Sequence, residues 1–163
     1  FNVGIRLLNG AGALVEDNRL DNNLENGILV SGDNNLVQRN RVYDTGGNSG
    51  TTYGINATAD VIDNTVAGVV AATTARGIFV RGASVVRDNR VRNLQSSGNV
   101  DGIRTYSAGA MVDGNHLAVP AGTGGNGIYG HFSGDSTACS NNVLTGFSTA
   151  MDNCVDAGGN TVL

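Results

Sequence analysis

The chain has no tryptophan, no lysine, one proline and two cysteines, and only eight phenylalanines and tyrosines among its 163 residues. Each scarcity excludes something. With lysine absent, all ten cations are arginines, and the net charge of −4 gives no broad basic surface for a nucleic-acid backbone. Positive charge can only be concentrated locally. No apolar run approaches the ~20 residues of a membrane-spanning helix, so no span is expected. No segment keeps a 3.6-residue apolar period over three turns, which argues against helices. Disorder is also a poor description, because 40 % of residues are apolar and they recur at fixed places.

What is abundant is glycine, at 25 residues, and it is periodic. Gly-Ile occurs at 4–5, 27–28, 54–55, 77–78, 102–103 and 127–128. In step with it runs a second marker, aliphatic-x-x-Asn-x-aliphatic: "LVEDNRL" at 14–20, "LVQRNRV" at 36–42, "VVRDNRV" at 85–91 and "MVDGNHL" at 111–117. A repeat of two dozen residues with two short apolar segments is a solenoid signature, and the leucine-rich consensus is missing. Period-two alternation after each Gly-Ile indicates short strands. The expected fold is all-β, a parallel solenoid of about seven coils occupying residues 1–163 as a single domain.

Three inward columns follow. One is Ile5, Ile28, Ile55, Ile78, Ile103, Ile128 and Met151; a second is Val15, Val37, Val61, Val86 and Val112; a third is Leu20, Val42, Val66, Val91, Leu117, Leu144 and Val162. Asn18, Asn40, Asn64, Asn89, Asn115, Asn142 and Asn160 are expected at one corner of each coil. There asparagine can adopt left-handed backbone angles and stacked amides can bond from coil to coil.

The Gly-Ile strands and Asn-x-Val/Leu corners resemble the right-handed parallel β-helix proteins of the pectate-lyase-like superfamily, over essentially the whole chain. That resemblance implies the fold. It does not select one activity, because the architecture carries lyases, hydrolases, epimerases, phage tail-spikes and adhesins. "FNVGI" begins inside a coil and "GNTVL" stops just past an Asn corner. The chain is therefore expected to be a fragment of a longer protein, or to have its ends covered by flanking domains or neighbouring subunits.

Outward positions two and four residues after each Gly are bland in the first three coils. They then become Phe79 and Arg81, Arg104 and Tyr106, and Tyr129 and His131. These six residues are the candidate substrate-binding patch: guanidinium forks suit carboxylates and aromatic faces suit sugar rings. A polysaccharide, with an acidic one favoured, is the expected partner. The segments 44–53, 95–101 and 120–126 are long enough to wall a groove beside it. A structural stalk or tail-spike-like assembly domain is an alternative.

The catalytic candidates are Arg81, Arg104, His131 and Asp101. "NVDGI" at 99–103 resembles the Asn-x-Asp-Gly motif of polygalacturonases, but the paired carboxylates that inverting hydrolysis requires do not follow it. Asp101 reads instead as a turn residue ahead of a strand. A polysaccharide lyase or uronate epimerase, abstracting the proton α to a carboxylate, needs a base and a neutralising cation. The superfamily resemblance implies arginine as base, often with calcium, while the "DPH" motif of mannuronan epimerases is missing. Asp101, Asp113 and Asp135 fall on different parts of the coil, so no metal site and no cofactor are expected. Arg19, Arg41, Thr65, Arg90, His116, Val143 and Thr161, flanked by Asp17, Asp63 and Asp88, read as a solvated face with modest ion pairs. Cys139 falls in the inward valine column and Cys154 at an outward position, opposite facings that make a bridge awkward. The fold resemblance and the glycan reading together point to an extracellular, cell-surface or periplasmic location.

Overall fold

Short strands, with two-residue corners between the second and third strand of each of the first six coils, wind the chain into a right-handed parallel β-solenoid. The computed structural model describes residues 1–47, 50–130 and 137–163, and contains no helix among them. Three parallel sheets of seven strands run its length. The first sheet contains Val3–Leu7, Asn26–Val30, Thr51–Ala57, Thr74–Val80, Asn99–Thr105, Asn126–Tyr129 and Thr149–Asp152. The second runs from Leu14–Glu16 to Cys154–Asp156 and the third from Arg19–Asp21 to Thr161–Val162. A two-stranded ribbon, Val70–Ala71 with Gln95–Ser96, forms on the connections back to the first sheet.

The registers place like residues one above another. Ile5, Ile28, Ile55, Ile78, Ile103, Ile128 and Met151 are successive partners, as are the predicted valine and leucine columns. Ile28, Ile55, Ile78, Ile103 and Ile128 are completely buried. At about 1.5–3 kcal/mol each, such side chains are the main favourable term.

The asparagine column is a continuous hydrogen-bonded ladder. Asn64 donates its backbone N–H (2.9 Å) and its Nδ2 (3.0 Å) to Oδ1 of Asn89 in the next coil. The same Nδ2 lies 2.9 Å from the carbonyl of Val37 in the preceding coil. The pattern repeats from Asn18 to Asn160. The left-handed residue is not the asparagine, however, but the one before it. Asp17, Arg39, Asp63, Asp88, Gly114, Asn141 and Gly159 all have positive φ, between 53° and 74° apart from Asp63 at 52°. The asparagine supplies its amide, which satisfies buried backbone groups on its own and the preceding coil and bonds the asparagine side-chain oxygen of the next. The sharp corner is made one residue earlier.

Glycine in each Gly-Ile pair has a different cause. A Cβ on Gly27, Gly54 or Gly77 would point into the core, 2.6 Å from the carbonyl oxygen of the next glycine in the column and against Val42, Val66 or Val91 respectively. Gly and Ile therefore both face inward, and the strand slips by one residue of phase between them. The pairing skips the glycines accordingly. Residues just before the glycine consequently share the outer face with residues two after the glycine.

Cys139 and Cys154 form a disulfide with their Cα atoms 6.0 Å apart, contrary to the opposite facings expected. Asn153, at φ 50°, turns the last coil directly from Met151 into its second-sheet strand. Cys154 then stacks on the buried Thr137 and faces inward beside Cys139.

Candidate functional site

The phase slip at Gly-Ile puts two columns side by side on the outer face of the first sheet. Asn26, Tyr53, Arg76, Asp101 and Asn126 form one. Asn56, Phe79, Arg104, Tyr129 and Asp152 run through the other. Arg81 and Tyr106 follow two residues downstream of Phe79 and Arg104. Reading outward positions only downstream of glycine missed Tyr53 and Arg76. The signal was present in "YGI" and "RGI", the residues immediately before each glycine.

Asp101 is the centre of this face. It lies within the strand Asn99–Thr105, not in a turn, and is wholly covered. Its Oδ2 accepts from Nε of Arg76 at 3.1 Å and from Nη1 of Arg104 at 3.4 Å, and its Oδ1 from Nδ2 of Asn99 at 3.0 Å and of Asn126 at 3.2 Å. Arg76 also donates to the Tyr53 hydroxyl at 3.0 Å. A carboxylate so enclosed cannot reach a sugar; it fixes the direction of two guanidiniums.

The aromatic side chains are interleaved with the cations. The guanidinium of Arg104 stands 4.4 Å above the Tyr129 ring, and that of Arg81 stands 4.4 Å above Phe79. Arg76 contacts the rings of Tyr53 and Phe79 at 5.4 and 5.2 Å. Phe79 lies between Tyr53 (5.6 Å) and Tyr106 (6.1 Å). Only 5 % of Phe79 is exposed, so it is a platform under the face and not a contact surface. Tyr106 is 56 % exposed and Tyr129 half-buried. Arg81 is exposed, bonds to Oδ1 of Asn56 at 2.5 Å, and has no carboxylate within ion-pair distance among the described residues. His131 lies outside the described residues, as does Asp135.

Beside Arg81 a groove of about 750 Å³ follows the corner between the first and second sheets, lined among others by Asp33, Asn34, Thr58, Asp60 and Ser84. It is at the opposite edge of the sheet from the long connections 44–53, 95–101 and 120–126. Among the described residues no group of three or more His, Cys, Asp or Glu side chains is placed to hold a metal ion. Asp113, on the outer face of the second sheet, accepts from Ser140 Oγ (2.7 Å) and Asn141 Nδ2 (2.9 Å), which lowers its pKa.

Comparison with curated proteins and with solved structures gives no match. Residues 1–85, just over half of the chain, match the family described as right handed beta helix region. With seven-stranded parallel sheets and an unbroken asparagine ladder along its length, the chain belongs to the right-handed β-helix family.

Proposed function

We propose that the outer face of the first sheet binds a polysaccharide, with an acidic polymer favoured, and that the protein acts as a glycan-binding module outside the cytoplasm. One observation carries this reading: Arg104 is pinned by buried Asp101 while lying 4.4 Å over the Tyr129 ring, beside exposed Tyr106 and Arg81. Pre-set guanidiniums lose little freedom on meeting a carboxylate, and neighbouring rings offer flat apolar surface to pyranose faces. The groove at Arg81 extends the face toward the second sheet. The Cys139–Cys154 disulfide supports an oxidising compartment.

Binding is favoured over turnover because Asp101 is enclosed by Arg76 and Arg104 and is not available as an acid or base. Titration calorimetry with polygalacturonate tests the reading. Tyr106→Ala and Tyr129→Ala should each weaken binding about tenfold while leaving the circular dichroism spectrum unchanged. Unaltered affinity in both variants would remove this face from consideration. Absorbance from unsaturated uronates during the same incubation would establish a lyase instead, with Arg81 as the candidate base.

A further inference from the structure

The outer face of the third sheet carries a second cationic cluster. Arg19, Arg41, Thr65, Arg90 and His116 form one of its columns, and Asp21, Tyr43, Ala67, Arg92 and Ala118 the other. Among the described residues, Arg19 alone is neutralised on this face, by Asp21 at 2.8 Å. Arg41, Arg90 and Arg92 are exposed and have no carboxylate within ion-pair distance among the described residues. The nearby acids stand at the asparagine corner, where Asp17 is held by Arg39 and Asp88 by Arg87; Asp63 borders the face with Arg41 and Arg90. A solvated face of alternating charge would pair these arginines. Here the second column places Tyr43 beside Arg41 and Arg92 beside Arg90, with alanines at 67 and 118, and a recess of about 280 Å³ opens between Tyr43, Thr65, Arg90, Arg92, His116 and Ala118.

Unpaired like charges on neighbouring positions repel one another, and this chain carries an excess of acids from which partners could have been drawn. We propose that this recess is a second anion-binding site, distinct from the first-sheet face, which takes an anionic group of a linear acidic polysaccharide. Arg90 and Arg92 lie about 7 Å apart along the strand, and Arg41 lies two coils, about 10 Å, from Arg90. Forked donors at those separations match carboxylates or sulfates spaced along a sugar chain, and the Tyr43 ring, with the Arg19 guanidinium 5.1 Å from its centroid, borders the same recess. A nucleic-acid duplex, with a charge every ~1.7 Å, carries its phosphates much closer together than the ~7 and ~10 Å separations of these arginines.

The test is titration of the intact protein with dextran sulfate, with neutral dextran, a single-stranded oligonucleotide and phosphatidylglycerol vesicles as comparisons. Arg90→Ser with Arg92→Ser should lower dextran sulfate affinity about tenfold or more without altering the melting curve, since both side chains are exposed. Because dextran sulfate can also meet the first-sheet face, the arginine pair is tested as well in the Tyr106→Ala, Tyr129→Ala background, where the same fall is expected, so that failure of one face is distinguishable from failure of the other. The inference is overturned if the arginine double variant binds as the parent does, or if the tyrosine variant alone abolishes binding. It is equally overturned if neutral dextran, the oligonucleotide or the vesicles bind as tightly as the sulfated polymer.

Discussion

At Gly77 a methyl group would lie against Val91 and 2.6 Å from the Gly102 carbonyl oxygen, whereas at Gly50 it would meet nothing within 4 Å. Gly77→Ala should therefore cost about 1–3 kcal/mol in urea unfolding, and Gly50→Ala less than about 0.5 kcal/mol. Equal effects would mean that Val91 and the neighbouring coil yield to a methyl group at no cost. Asp101 offers a parallel contrast. Its two arginines are only 16 % and 21 % exposed, so Asp101→Asn leaves half-buried guanidiniums short of a counter-charge. A loss of about 2–4 kcal/mol is expected, measured by urea midpoint, against less than about 0.5 kcal/mol for Asp88→Asn in the exposed pair with Arg87.

Among the elements, each strand is two to seven residues long and has no stability apart from the coils on either side. The Cys139–Cys154 bridge joins the second-sheet strands of the last two coils across 15 residues of sequence. Closing a loop of that size contributes up to about 3 kcal/mol, and in a solenoid the effect is local. Reduction should raise amide exchange across Thr149–Asp152, Cys154–Asp156 and Thr161–Val162, while Asn26–Val30 and Thr51–Ala57 keep their protection. Uniform loss of protection along the axis would show that the molecule unfolds as one cooperative unit. Sequence spacing misjudged this bridge because it assumed that the last coil repeats the length of the others; the turn at Asn153 shortens it.

For the molecule as a whole, carboxylates with lowered pKa are spread from end to end. Asp17 in the first coil is lowered by the side-chain hydrogen bond from Arg39, Asp113 in the fifth by Ser140 and Asn141, and Asp156 in the seventh by the Gly158 N–H and Asn160. In each case the folded state prefers the ionised form. The associated stability is fully present above the ordinary aspartate value of 3.8 and is lost as pH falls through the lower folded values. Urea midpoints should accordingly be flat from pH 7 to about 5 and decline toward pH 2.5, with Asp113→Asn reducing the decline. Winding, column membership and the asparagine ladder were all legible from spacing, because a parallel solenoid makes residues one period apart into neighbours and repeats each local solution. The one-residue slip at Gly-Ile was not legible, since strict alternation would have sent Tyr53, Arg76 and Asp101 to the wrong side of the strand. Nor was the enclosure of Asp101 or the burial of Phe79, which depend on side chains contributed by three different coils. Periodicity is a property of the backbone path and is written along the chain; coverage by neighbours is a property of the assembled face, and exists only once the coils are stacked.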